Sequence, residues 1–350
     1  MPSKNKIRSI LLWLHRWTGA LAGLVILVIT VTGGILVFEY TLQQWLRPDL
    51  YPKQATAKNQ RVPVAESLAM FLEKRPSAQV QGIRLPRDER DALVLFSGTQ
   101  AAYFDPGSGE FLGERPRSGG WEQTMIKLHV NLQQGAVGGT IVVVTTGIII
   151  GLALTGLWLW WPLRITGFRR GASFRRFNLD LHSVAGLYSS LFLLVISISG
   201  ITLRYLHGEH PQPPPVIERG DHRITVDEAI RIAESALPGA RAASLELPGP
   251  NPRAPFRVQL SFPEDGSPAG RSVAFLNPFT GDVLETHSSR EGTLLEKYQM
   301  AQLSIHTGAI GGTVTRWIAL LTCMALLLQV ISGYVLWWKR PGSKTPEKIR

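Results

Sequence analysis

The chain has 350 residues, a formal net charge of +11 and a composition that is 45% hydrophobic. This charge does not indicate nucleic-acid binding, because the basic residues form short clusters beside apolar runs rather than a patch on a folded domain; acidic phospholipid headgroups are the expected partner. The single cysteine, Cys323, excludes intrachain disulfides, cysteine-rich zinc sites, iron–sulfur clusters with several cysteine ligands and covalently attached c-type haem.

Four apolar runs predict an α-helical membrane protein with four transmembrane helices, because each approaches the ~20 residues that span a bilayer core. They cover residues 11–38, 140–161, 181–205 and 318–338. Clusters of Lys and Arg at residues 4–16, 164–176 and 339–350 place both termini and the middle loop in the cytoplasm. The first run is longer than a signal-peptide core and lacks an evident cleavage site, so we interpret it as an uncleaved anchor. The runs and the charge clusters predict a multi-pass protein of a plasma membrane.

The predicted organisation follows from these runs and is that of two parallel repeats. In chain order it comprises a cytoplasmic N-terminus with the first span at 1–40, an extracytoplasmic lobe at 41–120, an outer helix with the second span at 121–164, a basic cytoplasmic loop at 165–180, the third span at 181–207, a second extracytoplasmic lobe at 208–296, an outer helix with the fourth span at 297–339, and a cytoplasmic tail at 340–350.

Both long loops between spans are predicted to form small α+β lobes. In the second loop, Thr225 and Glu228 make a capping box that begins an amphipathic helix, and residues 64–75 are its counterpart in the first loop. Alternating apolar and polar residues at 92–96 and 256–262 predict strands after these helices.

A hairpin turn of the form D/N-P-x-S/T-G then follows in each lobe, within residues 103–112 and 275–284. Proline sets the first part of such a turn, and Gly109 and Gly281 are expected to take the positive φ that the turn requires. The two loops therefore share the same order of helix, strands and turn.

Histidines recur at equal positions in the two halves of the chain. In the first and third spans a histidine is followed after 4 and 18 residues by glycines: His15, Gly19 and Gly33, and His182, Gly186 and Gly200. Near the second and fourth spans a histidine precedes a glycine by 27 residues and a tryptophan by 32: His129, Gly156 and Trp161, and His306, Gly333 and Trp338. Two equivalent pairs of histidines in a membrane protein indicate paired axial ligands.

His15 and His182 are candidate ligands of a haem iron, because a metal-binding side chain in a span is costly to keep without a function. Each stands at the cytoplasmic end of a stripe of small residues that could admit a flat porphyrin beside the helix. The alternative is that the stripe only permits close helix packing and that the histidine is interfacial.

His129 and His306 are expected at the outer interface, since a continuous helix of 32 residues from each to its tryptophan would measure roughly 48 Å. A repeat axis normal to the membrane would bring equivalent histidines together and give two b-type haem sites per chain, one in each leaflet. If that separation is too wide, helix breaks at residues 138–139 and 311–312, or cross-pairing of the ligands, would shorten it.

The remaining candidates lie at the outer ends of spans. His207 could replace one of the ligands, or it is a surface residue before a proline-rich linker. Arg204 and Arg316 could pair with haem propionates or an anionic substrate, and snorkelling to lipid headgroups explains them equally well. The other histidines are expected on the surface: His210, His222 and His287.

The order of these features resembles the PepSY-associated transmembrane family over nearly the whole chain: a span beginning H-x-x-x-G, a lobe with the D/N-P-x-S/T-G hairpin, and a span ending T/S-G-x-x-L-W-W. The resemblance implies PepSY-like lobes and a link to bacterial iron uptake. It also implies haem within the four spans, because some members are similar to inner-membrane ferric-siderophore reductases.

The leading hypothesis is a haem-dependent ferric-siderophore reductase, a transmembrane di-haem b oxidoreductase with no further catalytic residue identified. It would take electrons from a cytoplasmic reductase, a reduced flavin or a flavoprotein, and reduce an extracytoplasmic ferric siderophore or other ferric chelate. No G-x-G-x-x-G motif follows a strand, so no nicotinamide site is expected. One alternative is a membrane-anchored PepSY binding or regulatory module without redox activity, and another is a transporter of iron or a siderophore.

Overall fold

The computed structural model describes residues 4–206, 212–216, 223–249, 251, 254–265 and 269–338. The helices of this part of the chain are α1 Lys4–Leu36, α2 Glu39–Leu46, α3 Val64–Lys74, α4 Trp121–Asn131, α5 Gly135–Trp160, α6 Phe174–Tyr205, α7 Val226–Ala236, α8 Leu294–His306 and α9 Gly312–Trp338. The strands are β1 Val80–Arg84, β2 Leu93–Ser97, β3 Gln100–Phe104, β4 Phe111–Pro116, β5 Arg241–Glu246, β6 Phe256–Ser261, β7 Ser272–Leu276 and β8 Val283–His287.

Four helices are long and apolar enough to cross a membrane, which confirms the prediction of a multi-pass membrane protein. The candidate spans are Lys6–Leu36, Gly135–Trp160, Phe174–Tyr205 and Ala309–Trp338. Each candidate span begins several residues before its apolar run, because the backbone hydrogen bonds of a helix do not depend on apolar side chains.

The spanning helices form one of two compact units, built from the described parts of residues 1–37, 122–205 and 305–350. In this unit α1 and α6 each pack against both α5 and α9. A cluster of buried apolar side chains fills its centre: Ala22, Ile26, Ile149 and Leu193.

The predicted continuous helix from each outer histidine to its tryptophan is wrong, because the chain breaks before the second and fourth spans. Between α4 and α5, Leu132 and Gln133 have positive φ of 51° and 62°, a conformation that a right-handed helix cannot contain. Before α9, Gly308 and Gly312 take φ of 72° and 66°. The break near 311–312 thus lies where expected, whereas residues 138–139 belong to α5.

The second unit, from the described parts of residues 38–121 and 206–304, contains one antiparallel sheet. Its strand order is β4-β3-β2-β1-β5-β6-β7-β8. β1 and β5 pair directly, with Ile83 opposite Leu245, so the two loops predicted as separate lobes share a single sheet.

Helices α3 and α7 pack apolar side chains against this sheet, around Phe71, Ala229 and Leu245. The predicted capping box at the start of α7 is confirmed: Oγ1 of Thr225 accepts from the Glu228 amide, and the Glu228 carboxylate accepts from the Thr225 amide. The two hairpin glycines have the expected positive φ, 72° at Gly109 and 79° at Gly281.

Candidate functional site

Two of the predicted histidines face each other inside the four-helix unit, His15 on α1 and His182 on α6. Their ring centroids are 6.2 Å apart and their planes meet at 86°. Nδ1 of His15 lies 2.9 Å from Oγ1 of Thr155 on α5. Nδ1 of His182 lies 3.1 Å from two oxygens of α9, the carbonyl of Gln329 and the hydroxyl of Ser332. Each ring is therefore oriented by a neighbouring helix.

The other two histidines also form a pair, His129 at the end of α4 and His306 at the end of α8, with ring centroids 6.0 Å apart and planes at 53°. Nδ1 of His129 lies 3.0 Å from the carbonyl oxygen of Ile29, and Nδ1 of His306 lies 2.9 Å from that of Ile196. Second oxygens are supplied by hydroxyl groups of the same helices, Thr32 at 3.2 Å and Ser199 at 3.4 Å. Because the chain breaks after α4 and α8, this pair contacts α1 and α6 before those helices end, at Ile29 and Ile196.

The hydroxyl partners indicate which ring nitrogen carries the proton. Each of them donates its own hydrogen to a backbone carbonyl one turn earlier in its helix: Thr155 to Gly151, Ser332 to Leu328, Thr32 to Val28, and Ser199 to Val195. Such a hydroxyl can only accept from the imidazole, so Nδ1 is the protonated nitrogen and donates. Nε2 keeps its lone pair in all four rings, which is the arrangement that metal-binding histidines adopt.

Glycines provide the space for all four imidazoles. A Cβ added at Gly33 or Gly200 would lie 2.9 Å from Cε1 of His129 or His306. At Gly156 and Gly333 the corresponding distances to Cε1 of His15 and His182 are 3.4 and 3.5 Å. The expectation that the small residues of the first and third spans all admit a porphyrin therefore needs correction, because Gly33 and Gly200 seat histidine rings.

A cavity of about 390 Å³ lies between the four spanning helices and has His15 and His182 in its wall. Gly19 and Gly186, which follow these histidines by one helical turn, also line it. All four histidines are only partly buried. The cavity gives the Nε2 side of the first pair room for a bound group.

His129 and His306 belong to α4 and α8, before the candidate spans begin. Burial, reinforced by the adjacent His306, lowers the pKa of His129 to about 4. Burial also lowers the pKa of His306. Both rings are neutral near pH 7, as a histidine must be to bind a metal.

The remaining predicted residues lie apart from these pairs or cannot be placed. His207, His210 and His222 lie outside the described residues. The guanidinium of Arg204 is exposed and packs against Gly139 on α5, 3.0 Å from the position of an added Cβ. Arg316 is partly buried in the second turn of α9. His287 is a surface residue whose Nε2 lies 2.7 Å from a carboxylate oxygen of Glu285.

The hydroxyl partners of the histidines were not identified from the sequence, although a signal for them exists. Each precedes one of the four imidazole-seating glycines: Thr32-Gly33, Thr155-Gly156, Ser199-Gly200 and Ser332-Gly333. One helix thus supplies both the hydrogen-bond acceptor and the open space next to it, and a Ser/Thr-Gly dipeptide in every span is the mark of that arrangement.

The family model described as PepSY-associated TM region matches residues 12–340, which covers most of the first span, the other three spans and both long loops. No curated protein matches the chain.

Proposed function

The chain belongs to the PepSY-associated transmembrane family, and we propose that it is a di-haem b oxidoreductase of the bacterial inner membrane. It passes electrons from a cytoplasmic donor to an extracytoplasmic acceptor, for which a ferric siderophore is the best candidate. The observation that supports this function is the presence of two facing imidazole pairs with Nε2 unprotonated.

The spacing of the rings fits two axial ligands of one metal. A bond between a metal and an imidazole nitrogen is about 2.0–2.1 Å long, as at zinc, and the nitrogen lies about 1.1 Å from the centre of its ring. Two imidazoles on opposite sides of one metal would therefore have ring centroids roughly 6.3 Å apart. The observed centroid separations are 6.2 and 6.0 Å. Two imidazoles could together hold the iron of a b-type haem, whereas a structural zinc site needs four protein ligands and a catalytic one three.

Haem supplies reversible one-electron exchange at its iron, and the protein supplies ligation, spacing and a dry environment. The two pairs are well placed for transfer across a membrane. His15 and Ile29, the contact of His129, are 14 residues apart in α1, which corresponds to about 21 Å along the helix. That distance is shorter than the ~30 Å bilayer core, so an electron that passes between the two pairs covers much of the way across a membrane.

The direction of transfer follows from the basic clusters at both termini and between the second and third spans. They support a cytoplasmic position for the His15–His182 pair, where a reduced flavin or flavoprotein would be oxidised by one electron for each ferric iron reduced. The His129–His306 pair then lies toward the extracytoplasmic side and the acceptor. Reduction of ferric to ferrous iron weakens its hold by a siderophore and permits release.

The first test is the haem content and the visible spectrum of the detergent-purified protein. We expect low-spin b-type bands and about two haems per chain, with about one lost in His15→Ala and one in His306→Ala. The surface variant His287→Ala is the matched control and should keep both. Purified protein without haem, even after expression with ample haem, would overturn the proposal and favour a binding or regulatory module.

A further inference from the structure

The cavity around His15 and His182 differs in chemistry along its length. Its deep part is lined by aliphatic side chains such as Ile26, Ile149 and Leu193. The end where α1 and α6 begin is lined by three arginines, Arg8, Arg16 and Arg175, and no Asp or Glu lines the cavity in the described part of the chain.

Two of these arginines occupy equivalent positions. Arg8 precedes His15 by seven residues on α1, and Arg175 precedes His182 by seven residues on α6. Seven residues make almost two helical turns, so each arginine lies on the same face as its histidine and about 10 Å away along the axis. A group held between the two rings therefore meets one guanidinium from each helix.

The charges of these arginines are not balanced by the protein. Among the described residues, no carboxylate lies within ion-pair distance of Arg8, Arg16 or Arg175, whereas their neighbour Arg176 pairs with the buried Asp180 at 2.8 Å. Nη2 of Arg8 donates to the carbonyl of Leu159 and leaves further N–H groups unused. Arg8 and Arg16 are partly buried and Arg175 is exposed, so their guanidinium groups remain available to an anion at this end of the cavity.

We propose that Arg8 and Arg175 bind the two propionate carboxylates of the haem held by His15 and His182, with Arg16 as an additional cation. This inference rests on the proposed function. A protoporphyrin is itself amphipathic, with both carboxylates on one edge and apolar substituents elsewhere. The cavity accepts it in one orientation, with the carboxylate edge toward the start of α1 and α6. In this site the histidines provide ligation and the arginines provide orientation.

The test uses full-length protein produced in haem-starved cells, with His306→Ala introduced so that only the cavity pair is complete. Haemin and haemin dimethyl ester, whose carboxylates are neutral, are titrated into it while the Soret band is followed. We expect the parent to bind the ester at least tenfold more weakly than haemin. Arg8→Gln and Arg175→Gln should each weaken haemin binding about tenfold and barely change ester binding. Arg170→Gln is the control, because Arg170 is an exposed cation of the same segment that does not line the cavity.

A second measurement covers the case in which a variant loads poorly. In the otherwise unmodified protein, loss of either cation should lower the midpoint potential of the haem, because a nearby positive charge favours the reduced form. Equal affinities for haemin and its ester, unchanged in both arginine variants, would overturn the inference while leaving histidine ligation intact. The arginines would then serve lipid phosphates at the membrane surface. If neither probe binds and His15→Ala makes no difference, the proposed function itself fails.

Discussion

Substitution of Gly33 by alanine gives the sharpest test of how the histidine pairs are built. The new Cβ would lie 2.9 Å from Cε1 of His129, whereas two carbons in ordinary contact are about 3.5–4.0 Å apart. The imidazole would have to move by roughly 0.6–1 Å, away from the Ile29 carbonyl that fixes its Nδ1. Overpacking of this kind costs about 1–3 kcal/mol.

The same energy should appear as weaker ligand binding at the His129–His306 pair, because the ring leaves its ligating position. A cost of 1–3 kcal/mol corresponds to an affinity for haem that is lower by about 5- to 150-fold. The assay combines the haem-to-protein ratio with the thermal unfolding midpoint in detergent. Gly33→Ala should lose about one haem per chain and unfold at a lower temperature.

Two other glycines of the spans make the comparison quantitative. Gly147 has no atom within 4 Å of an added Cβ, and Gly156 has only Cε1 of His15 at 3.4 Å. Gly147→Ala should be neutral or stabilising, since alanine favours a helix by up to about 1 kcal/mol over glycine. Gly156→Ala should fall between the two. If Gly33→Ala matched Gly147→Ala in both haem content and unfolding temperature, the close contact between Gly33 and His129 would be refuted.

Three further predictions concern single polar groups. Thr32→Val removes one of the two acceptors of the His129 Nδ1 proton, and the Ile29 carbonyl remains as the other. Haem binding at this pair, measured by titration, should therefore weaken by up to about tenfold, and an effect as large as that of His129→Ala would contradict this. Thr225→Ala removes the capping box of α7 and should destabilise the protein by about 1 kcal/mol, seen in chemical denaturation with no change in haem content. Burial raises the pKa of Tyr51 to about 12, from 10.0 in the unfolded chain. Between these two pH values the Tyr51 hydroxyl keeps its proton in the folded protein and has lost it in the unfolded chain. Stability should therefore fall as the pH rises from about 10 to about 12, and less steeply in Tyr51→Phe; parallel pH profiles would disprove the assignment.

The histidine pairs could be predicted from the sequence because their positions depend on regular helices. The same number of residues separates His15 from Gly33 and His182 from Gly200. In regular helices the two pairs are therefore separated by the same distance along the axis and have the same angular relation around it. The nature of the contact could not be predicted in the same way. Whether Gly33 meets a porphyrin or the ring of His129 depends on the packing of a neighbouring helix.

The helix break before the second span illustrates a different limit. Leu132 and Gln133 adopt positive φ although neither is a glycine, and Gly135 in the same break also has positive φ, 56°. The residue types of Leu132 and Gln133 do not distinguish them from helical residues. Tertiary contacts of His129 with α1 make up for the strain. Sequence spacing alone therefore could not show that His129 meets α1 at Ile29, about 10 Å along the axis before that helix ends at Leu36.

The antiparallel pairing of β1 with β5 has a consequence for how the chain matures. Pro116 ends β4 and Arg241 begins β5, so at about 5–20 residues per second the ribosome needs roughly 6–25 s to supply the missing neighbour of β1. Throughout that interval the first four strands present an open edge with unpaired amide and carbonyl groups, and such an edge recruits other nascent chains. Nascent protein is thus most prone to aggregate before its second half emerges, and a fragment truncated after the second span would keep that exposed edge permanently.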